Sequence, residues 1–478
     1  QQPTNTVAGV AISPAVTVQI LDACDNVTTS TANVTVAIGA NPGGGTLSGT
    51  LTVAAVNGTA TFSNLSINKV GVGYTLVAAS TALTGATSNP FNITAAAAAD
   101  YILTAPASTT AGSSFSVTLQ AIDAFGNIAT GYTGTTHFTT SDPGAAVVLP
   151  TNYTFTAGDQ GVHTFTNAVV LVTAPSQTIT ATDTVTASIS DTKTVLVNAA
   201  AAATFLVNAP PSTGAGAAFN FTVTAQDQFG NTATGYTGTV HFTSSDGGAT
   251  LPANSTLTNG VGTFSATLVT LGSQTLTATD TVTPSITGFD TINVTAATAN
   301  HFLVEAPATT TAGVSFSFTV TALDSFNNVA AGYTGTVHFT SSDVAAGVVL
   351  PANSTLTGGV GTFNATLVTA GNQTLTATDT VNSGITGSDS ILVVAAAAAD
   401  YVLTAPASTT AGASFSVTLK AVDAFGNTAT GYLGTAHFTT SDAGAAVVLP
   451  PNYAFTGTDQ GIHTFTGGVT LVTAPSQT

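Results

Sequence analysis

The stretch Asp123-Ala-Phe-Gly-Asn-Ile-Ala-Thr-Gly-Tyr-Thr-Gly-Thr-Thr-His-Phe138 decides how this chain is organised. It returns with small changes as Asp227 to Phe242, Asp324 to Phe339 and Asp423 to Phe438. A degenerate copy opens at Asp22, where Cys24-Asp25-Asn26 stands in place of Phe-Gly-Asn. Successive aspartates lie 101, 104, 97 and 99 residues apart, so the 478-residue chain is one module repeated five times. Units of this size can each bury a core.

The spacing places a divergent first module at 1–97, then modules at 98–200, 201–297, 298–396 and 397–478. Residues 400–478 differ from 100–178 at only 16 positions, so a block of three modules is itself repeated. The joints are Asn198-(Ala)5, Ala296-Ala-Thr-Ala and Val394-(Ala)5. Five alanines are too few for a stable isolated helix, and no Gly/Ser-rich or Pro-rich linker intervenes. The array is therefore expected to be fairly stiff. Module one opens at a point matching Ala105–Gly112, without a counterpart of the strand Tyr101-Ile-Leu-Thr. Module five stops at Thr478, where module two goes on to two further strands. Either this is a segment of a longer repeat protein, or neighbours exchange strands at open edges; the mid-strand stop favours the first. Gln1 and the lack of Met point to a processed or cropped chain.

Thr, Val, Ala, Ser and Gly dominate, a β-forming composition. The net charge is −18, but the only basic side chains besides histidine are Lys69, Lys193 and Lys420. Three lysines cannot build a nucleic-acid surface or bind an anionic membrane. Only 5% of residues are charged, against about a quarter in an ordinary soluble domain. Outward strand positions are Thr, Ser, Ala and Asn, which guard poorly against sheet association. Such faces are expected to be covered by attached glycans or by other copies of the chain. A single cysteine, Cys24, excludes an intrachain disulfide framework, and no apolar run is long enough for a membrane span.

In Ser114–Asp123, residues 115, 117, 119 and 121 are apolar and alternate with polar ones, the period of a half-buried strand. Val240 and Phe242 alternate likewise, and further strands are expected at Ala146–Leu149, His163–Leu171, Gln177–Asp183 and Thr192–Val197. About seven strands in a module of this length predict an all-β fold, a tandem array of Ig-like two-sheet sandwiches. The Thr-Ala-Gly signal, the strand ending Asp-x-Phe-Gly-Asn, and the following G-Y-x-G-T-x-H-F-T together resemble bacterial Ig-like surface repeats of the invasin/intimin type. The later Gln-Thr-x-Thr-Ala-Thr-Asp-Thr strand fits the same class. The resemblance covers all five modules, with a departure at Cys24-Asp25. It implies a cell-surface or secreted protein whose repeats serve as spacers, stalks or adhesive modules.

The foremost candidate site is a pair of carboxylates. Asp123 has the parity of the inward Phe115, Val117, Leu119 and Ala121, and Asp183 that of Ile179 and Ala181. In opposite sheets ending at one pole they would converge beside Asn127 and near Asp100. Asp227/Asp280 with Asn231, and Asp324/Asp379 with Asn328, repeat the set. Hard oxygen ligands at a joint suit Ca²⁺, which would stabilise it by linkage. The alternative is that each Asp caps its own turn through Asx-type hydrogen bonds. Ser80 in place of the second Asp in module one weakens the metal case.

His137, His241, His338 and His437 are expected to face outward as surface contacts, which would make lateral association pH-sensitive. His163 and His463 occur only in the longer Asp-Gln-Gly-x-His loop. Cys24, in the place of a core-type Phe, is expected to be buried. Of twelve N-x-S/T sequons, Asn254 and Asn353 lie in equivalent loops and are the first candidates for glycosylation. No G-x-S-x-G elbow or confined His/Asp/Ser set is present, and the best-matched residues recur in every module, as in a scaffold. Modules three and four have no lysine, so Lys–Asn isopeptide bonds cannot be general. With no Trp, an aromatic platform for sugars is missing. The expected function is non-catalytic and extracellular: a filament, stalk or surface-layer component that associates with its own copies. Two alternatives are the stalk of an adhesin whose tip lies outside this chain, and a spacer in a large secreted enzyme.

Overall fold

Alternating apolar residues give every long strand one face that must be covered. The computed structural model, which describes residues 1–478, covers them by packing two sheets in each module. Module two shows the plan. Ser114–Ile122 pairs antiparallel with Asp100–Thr104 on one side and with Val162–Val170 on the other. The facing sheet runs in the order Ser108–Thr110, Ser190–Asn198, Ser176–Asp183, Thr135–Thr140, Tyr153–Thr154. The chain switches sheets almost at once, because Ser108–Thr110 lies parallel to Ser190–Asn198. Modules three and four repeat both sheets around Ala218–Gln226 and Ser315–Leu323. The fold is a tandem array of Ig-like β-sandwiches.

The inward residues of the two sheets form the core. In module two Leu103, Leu119, Ala121, Val169, Leu171 and Ile179 are fully buried, and Phe138 meets Phe165 edge to face at 4.8 Å. Outward threonines pair across strands, as in Thr180–Thr192 at 2.8 Å and Thr279–Thr287 at 2.9 Å. These β-branched side chains suit the pleat and satisfy part of their own hydrogen bonding there.

Two details depart from the sequence reading. Ala146–Leu149 is not a strand; only Val148 bridges to Val170, because a turn at 145–146 leaves one residue in register. The two-residue strand Tyr153–Thr154 pairs instead with Thr135–Thr140.

The end modules differ from the middle three. In module one Val16–Gln19 pairs only with Thr59–Phe62. In module five Ser414–Val422 has both neighbours, but the facing strands are only Thr435–Ala436 and Tyr453–Ala454. Its core holds 6 buried residues against 18 in module two, although the shared sequence is nearly the same. Leu403 is 54% exposed where Leu103 is 0%. Burial here comes from the facing sheet, not from local sequence. No helix is long and apolar enough to cross a membrane.

Candidate functional site: the joint between modules

The recurring Asp-x-Phe-Gly-Asn follows the central strand of the three-stranded sheet and folds as a closed Asx loop. In module three Asp227 Oδ1 accepts the N–H groups of Phe229 and Asn231, both at 2.9 Å. Its Oδ2 accepts Asn231 Nδ2 at 2.8 Å and the linker N–H of Ala200 at 2.9 Å. The loop thus fixes the direction of Asn231 and ties down the alanine linker.

Asn231 then reaches into module two. Its Nδ2 donates to Val172 O at 2.7 Å, and Ala174 N–H donates to its Oδ1 at 2.8 Å. The turn also projects Phe229 onto Gly112, where a Cβ would come within 2.6 Å of the ring. Gly112 has φ +79°, so glycine is required there twice over, for its conformation and for the close approach. The Thr-Ala-Gly and Asp-x-Phe-Gly-Asn signals are therefore two halves of one joint.

A third part escaped the sequence reading. Asp142 is buried, and its Oδ2 accepts Val172 N–H at 2.6 Å and Thr173 N–H at 3.0 Å. It holds from behind the segment that Asn231 grips. Asp246, Asp343 and Asp442 do the same for Val269–Thr270, Val368–Thr369 and Val472–Thr473. A Ser-Asp pair at each of these positions was the available signal, but it reads as an ordinary loop.

The joint recurs along the chain. Asn127 donates to Asn68 O and accepts from Val70 N–H, with Phe125 over Gly9 and Lys69 Nζ donating to Phe125 O. Asn328 donates to Val269 O, with Phe326 over Gly216. Asn427 donates to Val368 O and accepts from Ala370 N–H, with Phe425 over Gly313. Linker N–H groups of Ala96, Ala297 and Ala396 bond Asp123, Asp324 and Asp423.

The second carboxylate of each expected calcium pair has separate work. Asp183 is inward and buried, as its parity predicts. Its Oδ1 accepts Val185 N–H at 2.8 Å and Thr186 N–H at 2.6 Å, and its Oδ2 accepts the Tyr132 hydroxyl. Asp280 with Tyr236 and Asp379 with Tyr333 repeat this. Asp123, Asp227 and Asp324 close their Asx loops with Asn127, Asn231 and Asn328. Asp100 accepts Tyr101 N–H. No group of three or more His, Cys, Asp or Glu side chains is placed to hold a metal ion. The arrangement is that of the Asx-turn alternative.

Burial pushes these carboxyls up, but the side-chain and backbone donors outweigh it. Asp123, Asp142, Asp183, Asp227, Asp246 and Asp280 are all held below the ordinary aspartate value. Burial and the bond to Asp280 push the Tyr236 phenol up. Eleven of the 21 acidic side chains are buried: three in each of modules two to four and two in module five. More than half of the acidic charge is thus internal, and the surface, with the other ten acidic side chains and three lysines, is sparsely charged.

Each outward histidine has a partner that the sequence did not show. His137, His241, His338 and His437 donate through Nδ1 to Asn152, Asn254, Asn353 and Asn452 at 2.7–2.8 Å. His163 and His463 bond Asp159 and Asp459 and stack on Tyr153 and Tyr453. Cys24 is exposed, contrary to expectation. The Phe whose place it takes belongs to the joint and not to the core, so the position lies at the surface of module one.

No protein-family profile matches the chain, and no curated protein is detectably similar to it. Among solved structures, the FdeC adhesin of Escherichia coli matches 63% of this chain over 98% of its own, at 21% identity and a TM-score of 0.36. Invasin, a bacterial integrin-binding protein, matches 86% over 80% of its own at 15% identity and a TM-score of 0.29. Domains 1–6 of the surface-layer protein SbsC match 98% over 63% of their own at 17% identity and a TM-score of 0.22. At these TM-scores the likenesses add no argument, and the fold rests on the sheet order described above.

Proposed function

We propose that the chain is an extracellular structural array, a filament, stalk or surface-layer component, whose repeated site serves to couple modules. The observation that carries this is the joint. Of the best-matched residues of the repeat, Asn231 bonds the neighbouring module and Phe229 packs on its Gly112, while Asp227 fixes Asn231 and the linker for that contact. A site whose donors and acceptors are all directed at its own chain has none to spare for a substrate. Non-catalytic work at the cell surface fits that and the sparsely charged, threonine-covered faces, which suit contact with other copies or a glycan coat. Asn254 and Asn353 are exposed, and their Nδ2 atoms, where a glycan would attach, make no hydrogen bond within the protein.

The adhesin-stalk reading is favoured by one observation. In the three middle modules a carboxylate from the opposite sheet ties down the first strand, within it in module two and just past its end in modules three and four. Asp191 accepts Leu103 N–H, Asp290 accepts Ala209 N–H and Asp389 accepts Ala306 N–H, at 2.8–2.9 Å. Strands tied down in this way oppose strand addition between copies, which suits separate strings better than laterally fused sheets.

Electron microscopy of the native cell surface, at a resolution that shows single sandwiches, tests the reading. Extended strings of modules, alone or side by side in a lattice, are expected; a compact particle with modules folded back on one another would contradict it. Sugar density at Asn254 and Asn353 would support the glycan coat.

A further inference from the structure

The four joints share their parts but do not grip equally. Asn127, Asn231 and Asn427 are each held at two points by the preceding module, one carbonyl and one N–H. Asn328 is held at one, through Nδ2 to Val269 O at 2.8 Å. No N–H of module three reaches its Oδ1.

The joints differ at one position, which is Ala174 in module two, Ala370 in module four and Leu271 in module three. In module one it is Val70, which is exposed and still donates its N–H to Asn127, whereas the Leu271 side chain turns onto module three's own core. Gln274 Nε2 bonds the carbonyls of both Thr270 and Leu271, at 3.2 and 3.4 Å. Nε2 of Gln177 and of Gln373 bonds a single carbonyl, that of Thr173 and Thr369. At this position the side chain and the carbonyl are both engaged by module three itself.

A second observation falls on the same joint. A cleft of about 380 Å³ lies beside the linker Ala296–Ala299, walled by Ala330, Tyr333 and Ile385 of module four. Small side chains on the linker and open space beside it leave room for the linker to move, where dense packing would resist.

We propose that the joint between modules three and four is the compliant joint of the array, bending where the other three hold. Bending there exchanges one hydrogen bond and an unfilled cleft, whereas at the others it must break a two-point clamp. The proposal rests on the joints themselves and is the same whether the array is a stalk or part of a lattice.

The test uses the full chain with Cys24→Ser and paired spin labels. Val185, Val282 and Val381 occupy equivalent turns and are 90%, 84% and 93% exposed, so Val→Cys changes there disturb no packing. Labels at 185 and 282 span the joint between modules two and three; labels at 282 and 381 span the one between three and four. The distance distribution is expected to be clearly broader for the second pair, and Leu271→Ala is expected to narrow it. Equal widths for the two pairs, or a second distribution that Leu271→Ala does not narrow, would overturn the proposal. Thermal melts of each variant show that the modules remain folded.

Discussion

Asn231 of module three and Val172 of module two are joined by a 2.7 Å hydrogen bond, and each is held in place by a buried aspartate of its own module. Asp227 sets Asn231 from one side, and Asp142 sets Val172 from the other. The contact between modules is thus pre-organised on both faces, so little side-chain freedom is lost in making it.

Asn231→Ala removes both cross-joint bonds and one bond to Asp227. Hydrogen bonds to a charged group are worth about 1.5–3 kcal/mol, so module three should lose an amount of that order. Differential scanning calorimetry should show one transition lowered while the others stay in place.

Gly112→Ala should act on the joint as well as on its own module. A residue with a Cβ at φ +79° costs about 1–2 kcal/mol, and that Cβ displaces Phe229. Limited proteolysis at the linker Ala199–Ala203 should quicken, while Gly131→Ala, where a Cβ meets nothing, should leave it unchanged.

Asp246→Ala leaves the N–H groups of Val269 and Thr270 without their acceptor. The expected loss is about 3 kcal/mol, large for a loop residue. Asp290→Ala, which removes one bond across the sandwich from Ala209 N–H and an exposed one from the adjacent Thr291 N–H, should cost less in the same chemical denaturation experiment.

Acid should undo the array. The folded values of Asp227, Asp246 and Asp280 lie below the ordinary aspartate value of 3.8, the bonds they accept outweighing burial. Carboxylates depressed on folding contribute stability that is complete above the unfolded value. It is lost as pH falls through the folded one. Melting temperatures should be flat down to about pH 5 and drop steeply below about pH 4.

Chelator should leave the melt of modules two to four unchanged, since both oxygens of Asp227 and of Asp280 already accept hydrogen bonds. A lowered melting temperature would support the calcium reading instead.

The strand pattern and the two-sheet sandwich were legible because alternation at 115, 117, 119 and 121 reports burial directly. The inward parity of Asp123 and Asp183 was legible for the same reason. What parity cannot report is the partner. Phe125 reads as a core residue because rings usually are, yet it leaves its own sandwich for Gly9. That misreading also produced the expectation of a buried Cys24. Asp142 lies in a loop of no fixed period, and its role depends on Val172, thirty residues away in sequence and adjacent only once the sheets pack.

The repeated motif couples modules through the asparagine of each joint. Small-angle X-ray scattering of the full chain tests it, comparing the parent with the combined variant Asn127→Ala, Asn231→Ala, Asn328→Ala and Asn427→Ala. A rod-like profile is expected for the parent, and for the variant a shorter maximum dimension with the signature of a flexible string of folded beads. Superimposable profiles, with the modules of both still folded, would contradict it.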